Sequence, residues 1–96
     1  MLYTPDRWVV VNIETPTETI PKVFAGWYGG FAQGESWKLS SGIVKIVEYT
    51  DRFEFTNFSG SVYICYKNRQ GMSGYMSSLY EHWVNNTEYK LTLQND

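Results

Sequence analysis

The stretch WKLSSGIVKIVEYTDRFEFTNFSGSVYICYK, residues 37–67, decides the fold. Three runs within it, residues 43–49, 52–58 and 61–67, are rich in β-branched and aromatic residues, and short turn sequences separate them. Such runs read as strands. Thr50-Asp51 and Ser59-Gly60 are two-residue connections, and glycine in the second tolerates the positive φ that tight hairpins need. With residues 37–39 as a first short strand turning at Ser40-Ser41-Gly42, the stretch predicts an antiparallel meander. In its third strand Phe53 and Phe55 share one face, while Arg52, Glu54 and Thr56 share the other. The last strand is apolar on both faces, Val62, Ile64 and Tyr66 against Tyr63 and Cys65. That places it centrally and predicts cover on both sides.

Downstream the period changes. Met72, Tyr75, Met76, Leu79, Tyr80 and Trp83 recur at i, i+3, i+4, i+7, i+8 and i+11, which is one face of a helix. Asn85-Asn86 supplies a stop. A final strand follows, with Tyr89, Leu91 and Leu93 facing in and Lys90, Thr92 and Gln94 facing out. Upstream, residues 7–13 (RWVVVNI) read as a strand between Pro5 and Pro16. Residues 14–21 carry two prolines and read as a loop. Residues 22–28 (KVFAGWY) form a less regular strand in which Gly26 suggests a bulge. The fold class is α+β, with an antiparallel β-meander sheet of about six or seven strands and one amphipathic α-helix near the C-terminus. At 96 residues it is a single domain spanning 1–96.

Composition narrows the chemistry. Aromatic residues make up 18% of the chain, enough to build a core without a disulfide or a metal. The net charge is −2, so no basic footprint marks a duplex binder. One Cys excludes an internal disulfide and fits a reducing compartment. The opening MLYTPDR has neither a charged n-region nor an apolar h-region, so no leader is expected, and no apolar run is long enough for a membrane span. The expected location is cytoplasmic.

An enzyme is not expected. His82 and Cys65 are the only residues of their kinds; Cys65 falls in a strand expected to be buried, and His82 on the polar side of the helix. A structural zinc needs about four N or S ligands, which this pair cannot supply, so neither a metal nor a cofactor is expected. Residues 29–36 (GGFAQGES) have the spacing of a phosphate-binding loop, but Glu35 stands where that loop needs lysine.

Binding remains. Trp27, Tyr28 and Phe31 lie in and beside a glycine-rich stretch, where flat aromatics give large contact area at small entropic cost. Arg69, in the turn before the helix, adds a polar anchor. The alternative for these aromatics is a plug folded over one end of the sheet. A second reading is a single-stranded nucleic-acid face on the meander, using Lys45, Arg52, Lys67 and Arg69, although Glu48, Asp51 and Glu54 interrupt it. A third is a small-ligand or sugar-binding domain. The helix stripe or an edge strand also offers a surface for a homodimer.

Trp37-Lys-Leu-Ser-Ser-Gly-Ile43, Phe58-Ser-Gly-Ser-Val-Tyr63, Cys65 and Gly71-Met72 resemble small accessory proteins of tailed bacteriophages. The resemblance spans the middle and C-terminal half. It implies a non-structural phage protein acting in the host cytoplasm by binding and blocking a host or anti-phage defence protein, as anti-CRISPR proteins do. It carries no site residues with it.

Overall fold

The computed structural model describes residues 1–29 and 34–94. Eight strands run in chain order: β1 (Leu2–Tyr3), β2 (Arg7–Glu14), β3 (Thr19–Trp27), β4 (Ser36–Leu39), β5 (Ile43–Glu48), β6 (Arg52–Asn57), β7 (Val62–Tyr66) and β8 (Lys90–Leu93). A 3-10 turn (Lys67–Arg69) and one helix, α1 (Gly74–Asn86), lie between β7 and β8. The α+β class with one helix near the C-terminus is as expected from sequence. The strands, however, divide between two four-stranded sheets, ordered β1-β7-β6-β5 and β4-β3-β2-β8.

The meander survives as β5-β6-β7, fully antiparallel. β4 is not part of it. Ser40-Ser41-Gly42 is a crossover between sheets instead of a hairpin, and β4 pairs with β3. Ser40 fixes that crossover from within: its buried Oγ accepts the Val23 N–H at 2.8 Å and donates to the Ser41 carbonyl at 2.7 Å. The Ser59-Gly60 turn forms as read, with Gly60 at φ +93°. Buried Asn57 closes it, its Oδ1 accepting from the Ser61 N–H and the Ser59 hydroxyl.

Residues 19–21, read as loop, belong to β3. Pro21 is tolerated there because of ladder parity. Val23, two residues on, sends its N–H away from β2 to Ser40, so the Pro21 nitrogen points the same way, beyond the end of β4. Gly26 serves close packing: a Cβ there would lie 2.5 Å from Met76 Sδ. That contact sets the glycine requirement, where the sequence suggested a bulge.

The layers stack as helix, sheet, sheet. Sheet β4-β3-β2-β8 is the middle layer, buried on both faces. Trp8, Val10, Val23 and Ala25 point to the other sheet and meet Phe55, Tyr63 and Cys65. Val9, Val11 and Phe24 point the opposite way and meet Met76, with Leu79, Tyr80, Trp83, Leu91 and Leu93 packed around them. The helix stripe therefore serves as core, capped at its start by Ser73, whose side chain accepts the Met76 N–H. Tyr89, expected to face in, is exposed. No helix among the described residues is long and apolar enough to cross a membrane.

Candidate functional site

Two surfaces qualify as candidate binding sites. The first is the loop end where Tyr3, Trp27, Tyr28 and Arg69 meet. Asp6 organises it. Its Oδ2 accepts the Tyr28 N–H at 2.8 Å, and its Oδ1 accepts from Arg69 Nη1 at 3.2 Å. Tyr28 and Arg69, far apart in sequence, thus share one carboxylate. Trp27 takes the plug alternative: its indole N–H donates to the Thr4 carbonyl at 3.1 Å, its ring meets Tyr3 edge-on, and it packs against the inter-sheet core. Tyr28 is 54% exposed and available to a partner. Phe31 lies outside the described residues. Asp6, which sequence reasoning passed over, carried no local signal, because its role depends on chain segments that meet only in the fold.

The second surface is the outer face of sheet β1-β7-β6-β5. Directly opposed residues share a face, so the register sorts the side chains. Leu2 stands beside Val62 and Val62 beside Thr56; Ile64 lies beside Glu54 and Glu54 beside Val47; Tyr66 is beside Arg52. The other face of these strands, with Tyr63, Cys65, Phe53 and Phe55, is the inter-sheet core. β7 is central in its sheet as expected, but it is covered on one side only. Sheet β4-β3-β2-β8 covers the inner face, and among the described residues no layer lies over Val62, Ile64 and Tyr66, which remain partly exposed. At the hairpin end of this sheet Phe58 is 83% exposed and Leu2 68%. The sequence signal for this face was the apolar pattern on both sides of residues 61–67, which periodicity alone assigns to burial.

The four cations of the nucleic-acid reading are largely engaged. Arg52 meets Asp51 at 2.9 Å and Glu54 at 3.2 Å, Lys67 meets Glu48 at 2.6 Å, and Arg69 meets Asp6. The hydrogen bond that Arg52 donates to Glu54, ahead of the contribution of Asp51, holds the guanidinium above its ordinary pKa. The Arg52 guanidinium also lies over the Tyr49 ring at 4.0 Å. Among the described residues, Lys45 is the one of the four without an ion-pair partner.

Cys65 and His82 do not meet. Cys65 lies fully buried between the sheets, while His82 lines a groove on the helix side of the middle layer. Burial pushes the Cys65 thiol well above its ordinary pKa, which favours the unreactive neutral form. An expected result follows: with the protein folded at pH 8, a disulfide reagent such as DTNB leaves Cys65 unmodified, and full modification coincides with denaturant unfolding. Fast labelling of folded protein would contradict this placement. No group of three or more metal-ligating side chains occurs among the described residues.

Comparison with protein-family models, curated proteins and solved structures finds no match for this chain.

Proposed function

We propose that this protein is a non-catalytic protein-binding module that works by covering a surface of its partner. The observation that carries this reading is the bare outer face of sheet β1-β7-β6-β5. An antiparallel sheet with one face in water ordinarily alternates apolar-in with polar-out. β7 departs from that rule, presenting Val62, Ile64 and Tyr66 outward, with Leu2 and Val47 on the same face. Leu2, Val62 and Ile64 form a partly exposed apolar run on this face, and exposed apolar surface of this kind marks interaction sites.

The matching partner surface is apolar opposite Leu2, Val62 and Ile64 and carries polar groups opposite the Arg52–Glu54 pair, which lies between β7 and Val47 on the same face. The resemblance of residues 37–43 and 58–63 to tailed-phage accessory proteins supplies the partner class, a host or defence protein blocked by steric occlusion. Tyr28 and Arg69 at the loop end form a second contact region.

Substituting Ile64→Lys on the outer face tests this reading. The expected variant keeps the circular-dichroism spectrum, and its thermal midpoint stays close to that of the parent chain, because the side chain points to solvent. A partner captured by the parent chain and rebuilt from purified components at fixed stoichiometry loses at least about tenfold in affinity, roughly 1.4 kcal/mol. Tyr28→Ala with Arg69→Ala produces a smaller loss. A partner bound equally well by Ile64→Lys would sink the assignment of this face.

A further inference from the structure

On the far side of the stack, where α1 ends over the middle sheet, a groove of about 330 Å³ opens. Val11, Ile13, Leu39 and Leu91 give it an apolar floor, and α1 contributes Trp83 and Asn86 to the lining. The volume falls at the lower end of the range of small-molecule sites, which pair an apolar lining with a few polar groups. Trp83 is held in place by Phe24 at 4.9 Å and Trp37 at 5.1 Å between ring centres, so that part of the lining is preformed.

The ladder register sorts the charges around this floor. Directly opposed residues share a face, and Val11 stands opposite Lys22 as Ile13 stands opposite Leu91. Lys22 therefore rises from the same face as the floor. The register of β4 ends with Leu39 opposite Phe24, so Lys22 comes just past its end. It is half-buried, and among the described residues it has no ion-pair partner. Glu14 is the one carboxylate in the four strands of this sheet, and it turns to the opposite face. There it stands across from Lys90 and accepts from the Thr92 hydroxyl at 3.5 Å. Arg7, the other charged residue on the floor's face, lies at its far end opposite Gly26. The strands thus offer this face cations and no carboxylate. The end of α1 carries partial negative charge, and Asn86 Nδ2 already donates to the His82 carbonyl there at 2.8 Å.

We propose that this groove binds a small amphiphilic carboxylate, a flat hydrocarbon body carrying one anionic group. The body lies on Val11, Ile13 and Leu91 against the Trp83 ring. The carboxylate turns away from the helix end and toward β3, where the Lys22 ammonium meets it in a charge-assisted hydrogen bond. A cation of the same shape meets Lys22 as a like charge and is disfavoured.

The test uses the intact chain labelled with 15N, at neutral pH and low salt, and three probes of similar size. These are 3-phenylpropanoate, its neutral isostere 3-phenylpropanamide, and 3-phenylpropylammonium. The expected result is saturable chemical-shift change at the Trp83 indole N–H, the Asn86 side-chain amide and the Leu91 amide. The carboxylate binds at least about threefold tighter than the amide, the scale of one partly exposed ion pair, and the ammonium binds most weakly. Lys22→Gln removes the preference for the carboxylate while leaving the affinity for the amide unchanged, and Lys22→Arg keeps the preference. Carboxylate and amide binding equally in the parent chain would overturn the proposal, as would a preference that survives Lys22→Gln. So would shifts centred outside the groove, or no saturable shift below about 10 mM.

Discussion

Trp8→Ala is expected to cost about 3–5 kcal/mol, the range for removing a large aromatic side chain from a core. Trp8 is 1% exposed and belongs to the middle layer, where it meets Phe53 and Phe55 edge-on at 5.9 and 5.6 Å between ring centres. Its indole N–H donates to the Tyr66 carbonyl at 2.7 Å, tying β2 to the end of β7 in the other sheet. Alanine therefore opens a void between the sheets and leaves the Tyr66 carbonyl without this donor. Domains of this size hold roughly 5–15 kcal/mol in total, so the loss is a large share of the stability and the denaturant midpoint falls steeply. Trp8→Phe retains most of the apolar volume and is expected to lose about 1–3 kcal/mol, with the unsatisfied carbonyl a main part. Urea unfolding followed by far-ultraviolet circular dichroism measures both. Equal stability of Trp8→Ala and the parent chain would mean that the sheets do not pack through this residue.

The second large effect sits on the opposite face of the same sheet and changes sign with its neighbour. Met76 is 1% exposed and fills the space that a Cβ at Gly26 would claim. Met76→Ala is expected to destabilise by about 2–5 kcal/mol through lost burial and the cavity left behind. Gly26→Ala alone forces Met76 off its position and costs about 1–3 kcal/mol through overpacking. Gly26 has no positive φ, so alanine suits its backbone once the methionine is gone. In the Met76→Ala background, Gly26→Ala is expected to be neutral or stabilising by up to about 1 kcal/mol. The double-mutant cycle reads this coupling directly. Additive losses would mean that Gly26 is required for some reason other than the methionine.

These two sites show which parts of the fold were legible in sequence. The helix stripe at residues 72–83 and the hairpins of residues 43–67 were legible because both depend on neighbours in the chain, through a 3.6-residue apolar period and turn chemistry at Gly60. Met76 was readable as core. Its partner Gly26 read as a bulge, since a glycine in a strand carries no record of the side chain that displaces its Cβ. Pro21 misled in the opposite direction: it marked a loop, but ladder parity turned its nitrogen away from β2. β1, two residues long and parallel to β7, gave no period to detect.

For the candidate sites, Tyr28 and Arg69 were named from composition and position, and Asp6, which joins them, was not. The groove under Trp83 was invisible for a related reason. Its lining comes from β2, β4, β8 and the end of α1, and no local pattern links those segments.

The sequence by itself determined the strands of the 43–67 hairpins, the helix with its apolar stripe and the turn at Gly60, all properties of residues close in the chain. Only the tertiary structure decided that β4 leaves the meander and that β2 and β3 are buried on both faces. It alone left the second apolar face of β7 bare. The physical reason is that burial is non-directional: an apolar pattern states that a face avoids water, not which layer covers it. For Val62, Ile64 and Tyr66, this chain contains no such layer among its described residues.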